Sequence, residues 1–106
     1  MKYKKVKVFR TGYYCGYVGF DSSHPLYGKD YDELSHIEVH GGLTFSDSYV
    51  PNLPETHNDN FWYIGFDCNH YGDRTLFERK ELGEFRKPDY VDYELNCVVD
   101  QLKSYE

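Results

Sequence analysis

The strongest constraint on how this chain folds is an internal repeat. Tyr17-Val18-Gly19-Phe20-Asp21-Ser22-Ser23-His24 recurs as Tyr63-Ile64-Gly65-Phe66-Asp67-Cys68-Asn69-His70, with five identities and one Val/Ile exchange in eight positions. Each copy opens with strand formers and closes on Asp, two variable residues and His, so each reads as a strand running into a loop. One repetition is too little for a solenoid, which needs about three stacked units. The expectation is two strands that each deliver an Asp and a His to loops at a similar end of one sheet. A structural account of the same residues stands beside it: the glycines permit a bulge, the aspartates cap the following turn, and the histidines bond loop carbonyls.

Around the repeat, charged and apolar residues roughly alternate from Lys2 to Phe9, which predicts a half-buried strand with its lysines guarding an edge. The repeat strands are expected over Tyr13–Phe20 and Phe61–Phe66. Ile37, Val39, Leu43 and Phe45 predict a further strand with a bulge at Gly41-Gly42, placing His36, Glu38 and His40 on its opposite face. The prolines and small polar residues of Ser46 to Asn60 read as a mobile surface loop, and Thr75 to Leu82 as a short helix. Val91, Leu95, Val98, Val99 and Leu102 form an amphipathic helical stripe, with Pro88 at its first turn and Asp89, Asp92 and Glu94 near the positive end of the helix dipole. The predicted fold is α+β: a small, mainly antiparallel sheet with the C-terminal amphipathic helix packed on one face. A chain of 106 residues suits one domain spanning 1–106.

A formal charge of −6 argues against nonspecific nucleic-acid binding, which needs concentrated basic surface, and favours a protein or small-molecule partner. Three cysteines without CxxC spacing indicate neither a disulfide framework nor a zinc knuckle and suit a reducing compartment. The sequence has no apolar run of membrane-spanning length, and its lysine-rich start lacks the apolar core of a signal peptide, so the cytosol of whichever cell makes the protein is expected.

Two chemistries fit the loop residues. Imidazole and carboxylate from His40, Asp67 and His70 could hold zinc or another divalent cation, and with an open position such a site supports hydrolysis; the spacing matches no established metal signature. The same residues could instead hold a ligand without transforming it. The chain carries 12 Tyr and 7 Phe, rings that can stack on a purine, while His, Lys and backbone amides at Gly41-Gly42 supply donors to phosphate. Cys68 lies between Asp67 and His70, but nothing in the sequence stabilises its thiolate. No residue is assigned a catalytic role.

His24-Pro25-Leu26-Tyr27-Gly28, Val39-His40-Gly41-Gly42-Leu43-Thr44 and Gly65-Phe66-Asp67-Cys68-Asn69-His70-Tyr71-Gly72-Asp73 together resemble a family of small uncharacterised proteins of bacteriophages and prophages. The resemblance covers most of the chain from Gly16 onward, including the C-terminal helix. The chain departs from the pattern in loop length around Ser46–Asn60 and Arg74–Lys87. The resemblance implies a phage accessory protein that binds a host component, by analogy with sponges for nucleotide immune signals and with direct inhibitors of defence enzymes. It carries no activity. The leading expectation is a non-enzymatic protein, without cofactor, that sequesters a small nucleotide-type signal. Its contacts are expected at His24, Tyr27, Lys29, His40, Gly41, Gly42, Asp67, His70 and Asp73. A metal-dependent hydrolase and a direct inhibitor of a host defence protein are the alternatives, and pairing of two copies is a further expectation.

Overall fold

Strand β1, Tyr3–Arg10, alternates side chains to two faces, as its charge pattern predicts. It turns through Thr11 and Gly12, both at positive φ, into β2, Tyr13–Phe20. A two-residue connection with both residues in that region matches the right-handed twist of a tight hairpin. The computed structural model describes residues 2–69 and 85–106. Within them, β3 (Phe45–Asp47) and β4 (Trp62–Asp67) complete an antiparallel sheet in the order β1-β2-β4-β3. The expected helix over 75–82 lies outside the described residues.

Helix α1, Pro88–Lys103, buries Val91, Leu95, Val98, Val99 and Leu102, the five residues of the predicted stripe. They pack on Val18, Phe20, Ile64 and Phe66. At about 1.5–3 kcal/mol for each fully buried aliphatic side chain, the stripe contributes on the order of 10 kcal/mol before ordering costs. The α+β architecture with a C-terminal helix on one face of the sheet is therefore as the sequence predicts. No helix among the described residues is long and apolar enough to cross a membrane.

Two expectations are corrected. The strand predicted over Ile37–Phe45 is real only at Phe45–Asp47. Ile37 instead closes a turn on the short 3-10 helix Tyr31–Leu34, its N–H donating to the Leu34 carbonyl at 2.9 Å, and both side chains join the core beneath α1. Alternating apolar residues satisfied a loop that dives inward, so His36, Glu38 and His40 share no strand face.

The 46–60 segment is the second correction, because it packs as the cover of the other sheet face. Val50 is fully buried against Cys15, Tyr17 and Tyr63. The Thr56 hydroxyl laces this cover, accepting from Val50 N–H at 2.9 Å and donating to the Leu53 carbonyl at 2.7 Å. Asp59 pins its far end, taking Tyr63 O–H at 2.5 Å, Phe61 N–H at 2.9 Å and Lys4 Nζ at 3.2 Å. Arg10 ties the near end to the Pro51 carbonyl at 2.8 Å.

Candidate functional site

The register of β2 against β4 explains the repeat. Tyr17 lies opposite Gly65 and Gly19 opposite Tyr63, with Val18 facing Ile64 between them. The two copies thus pair about a local two-fold axis, and each tyrosine ring lies across the other copy's glycine. A Cβ on Gly19 would sit 2.5 Å from Tyr63 Cε1, and one on Gly65 2.5 Å from Tyr17 Cδ1. Only hydrogen at those positions leaves room for the rings, an aromatic cover of a strand glycine.

The same pairing overturns the expectation that the two Asp-x-x-His loops leave one end of the sheet. Asp67 faces Cys15, and Asp21 lies six positions further along β2, so the loops emerge about 20 Å apart at ~3.4 Å per residue. Both aspartates do the same local work. Asp21 accepts the Ser23 N–H at 3.0 Å and Asp67 the Asn69 N–H at 3.1 Å, the turn-capping role of an Asx motif. The Ser23 hydroxyl and then its amide hold the Asp21 carboxyl below its ordinary range.

At the Phe20 end, His24 is a core residue, 2% exposed, set against Phe20 and Tyr3. Its Nδ1 accepts the Leu26 N–H at 3.0 Å and its Nε2 lies 2.8 Å from the Leu102 carbonyl. Those partners assign the proton to Nε2, which donates to the last turn of α1. Both nitrogens are used, so His24 leaves the set of ligand contacts: it fastens its loop to the helix C-terminus. Tyr27 donates its hydroxyl to the Asn60 carbonyl at 3.1 Å and its ring lies 6.3 Å from that of Trp62, whose indole N–H donates to the Lys29 carbonyl at 2.9 Å. The Lys29 side chain is exposed. This cluster packs the 24–30 loop onto the start of β4.

The other end gathers the remaining candidates. Gly41 and Gly42 have φ of 69° and 81°, and Gly42 N–H returns to the Val39 carbonyl at 2.9 Å, making a turn that a side chain at either position would strain. The turn is docked on the first half of α1. Glu94 Oε1 accepts His40 N–H at 2.6 Å, and His40 Nδ1 lies 2.7 Å from the Tyr90 hydroxyl. The His40 ring stands edge-on to Tyr90 at 5.3 Å and lies 6.4 Å from Phe66. Arg86 holds its guanidinium 4.8 Å above the Tyr90 ring. Leading back to β4, Thr44 donates its hydroxyl to Asp67 at 3.3 Å and its N–H to the Gly65 carbonyl at 2.9 Å. His40, Gly41, Gly42 and Asp67 therefore share one end of the sheet, about 18 Å along α1 from His24, taking the twelve residues from Tyr90 to Leu102 at ~1.5 Å each. His70 and Asp73 lie outside the described residues.

Tyr90, Glu94 and Arg86 were not among the sequence candidates. Tyr90 and Glu94 are i, i+4 neighbours bordering the apolar stripe, a visible position, but the loop that docks on them is not marked by any periodicity. Cysteine chemistry is not favoured here: Cys15 and Cys68 are 5% and 1% exposed, and burial followed by the Asp67 charge pushes the Cys15 thiol up. Among the described residues, the grouping of three acids close enough to share a cation is Asp30, Asp32 and Glu33, all exposed. Glu33 there caps its own 3-10 turn by accepting Asp30 N–H at 3.1 Å. No family model, curated protein or solved structure matches the chain.

Proposed function

We propose that this chain acts by binding, that its ligand is a small nucleotide-type molecule, and that the ligand meets the His40–Gly41–Gly42 corner. The observation that carries the reading is the guanidinium of Arg86 over the Tyr90 ring beside the His40 imidazole, at the same end of the sheet as Asp67. A planar cation on an aromatic ring offers phosphate a bidentate donor and a base a stacking surface. A carboxylate such as Asp67 accepts ribose or base donors, and the glycine turn lets a ligand approach the backbone closely. Each stacked base is worth about 1–3 kcal/mol, enough with one phosphate contact for useful affinity.

In a phage accessory protein working in the host cytoplasm, such binding would remove a nucleotide immune signal from circulation without catalysis. The reading is tested by calorimetric titration with a panel of linear and cyclic mono- and dinucleotides. At least one is expected to bind, with affinity falling tenfold or more in His40→Ala and Arg86→Ala and unchanged in Lys29→Ala. Binding of none, or equal binding by His40→Ala, contradicts it.

A further inference from the structure

Beside that corner, on the solvent side of α1, a shallow groove of about 360 Å³ runs between the helix and the 38–39 backbone. Glu38, Val39, Tyr93, Glu94, Cys97 and Gln101 line it. Its floor is rigid. The Gln101 side-chain amide clamps both backbone groups of Glu38, its Oε1 accepting Glu38 N–H at 2.7 Å and its Nε2 donating to the Glu38 carbonyl at 2.7 Å, with a further bond to the Cys97 carbonyl at 3.2 Å. A groove held this way loses little freedom when it is filled.

Two features of the groove indicate what would fill it. Tyr93, at 64% exposure, is the most exposed large hydrophobic residue described, standing on the rim where its ring meets solvent. The surrounding charge is negative: Glu38 and Glu94 line the groove, and α1 also carries Asp89, Asp92 and Asp100 against a single Lys103. Of these acids, Asp92 is answered by Lys7 Nζ at 2.9 Å, and Glu94 accepts the His40 N–H through Oε1 at 2.6 Å. The groove therefore presents an aromatic face and carboxylates, the two groups that together receive a guanidinium or ammonium.

We infer that this groove is a docking surface for a basic, extended segment of a partner protein, with an Arg or Lys of that segment set over Tyr93 between Glu38 and Glu94. The groove adjoins the His40 corner and shares Glu94 with it, but the inference does not depend on the nucleotide reading of that corner. A partner engaged here would hold the protein on its target while the corner stays available.

The test uses the full chain and a fluorescein-labelled octapeptide alternating arginine and leucine, followed by anisotropy at about 0.15 M salt, where long-range charge attraction is largely screened. Binding is expected to weaken at least tenfold in Tyr93→Ala and several-fold in Glu38→Gln. A peptide with glutamate for arginine should not bind. Glu55→Gln removes the same charge from an exposed site outside the groove and should leave affinity unchanged. If Glu55→Gln weakens binding as much as Glu38→Gln, bulk charge rather than the groove is responsible and the inference fails. It also fails if Tyr93→Ala binds as wild type, or if the chain alone dimerises and Tyr93→Ala abolishes that dimer, which would assign the groove to a second copy.

Discussion

Gly19→Ala should destabilise this protein through a single methyl group. The added Cβ would meet Tyr63 at 2.5 Å from Cε1 and 2.9 Å from both Cδ1 and Cζ, all well inside van der Waals contact. The ring has no easy retreat, because Tyr63 is fully buried and its hydroxyl is tied to Asp59 at 2.5 Å. Overpacking of this kind costs about 1–3 kcal/mol. Gly65→Ala should cost at least as much, since its Cβ would meet the Gly16 carbonyl at 2.8 Å as well as Tyr17, and backbone yields less than a side chain. With a urea m-value of about 1–3 kcal/mol/M, the midpoint should fall by about 1 M. The decisive assay is a double-mutant cycle with Tyr63→Val, which lacks the three contacting ring atoms. The pair should be less destabilising than the sum of its members by about 1 kcal/mol or more. Additive behaviour, or a cost below about 0.5 kcal/mol for Gly19→Ala, would refute the reciprocal packing as the reason for the repeat.

Three further outcomes follow from the same contacts. His24→Ala orphans the Leu26 N–H, leaves the Leu102 carbonyl with only the Tyr105 and Ser104 amides of its own helix end, and opens a void, so urea unfolding should show a loss of about 2–5 kcal/mol, with nucleotide affinity unchanged while the protein is folded. Burial alone would raise the Asp59 pKa, but hydrogen bonds from Tyr63, the Phe61 amide and Lys4 outweigh it and hold the carboxyl net below its unfolded value of 3.8. With the folded pKa the lower one, that stability is fully present above about pH 4 and is lost as pH falls through the folded value. Asp59→Asn should flatten the acid limb of the stability curve measured by circular dichroism. Tyr90→Phe removes the hydroxyl at His40 Nδ1 and should cost about 0.5–1.5 kcal/mol of stability, with ligand affinity falling as the turn loosens, measured by calorimetry beside thermal melts.

The C-terminal helix was legible because its signal is local: five apolar residues at helical spacing, with a proline at the start, need no knowledge of what they cover. Three strands were legible for the same reason. That the two repeat copies are direct neighbours was not, since a strand pattern does not say which strands are adjacent, and as antiparallel neighbours they send Asp21 and Asp67 to opposite ends of the sheet. The 46–60 cover was missed because its buried residues are a lone valine and a lone threonine in polar surroundings, with no period to betray them. His24 has the look of a ligand histidine in sequence, yet it is committed to a carbonyl of a helix 78 positions away. Among the nine candidate contacts, His40, Gly41, Gly42 and Asp67 share one end of the sheet, while Tyr27 and Lys29 belong to the packing of the other.

Native mass spectrometry of the protein purified from phage-infected cells tests the binding reading most directly, compared with its denatured mass and with His40→Ala prepared the same way. The account predicts an excess of several hundred daltons, the mass of a retained nucleotide, that disappears in His40→Ala. An excess of tens of daltons removed by chelator would instead support a metal at His40 and Asp67, and no excess, or one that survives His40→Ala, would contradict the account.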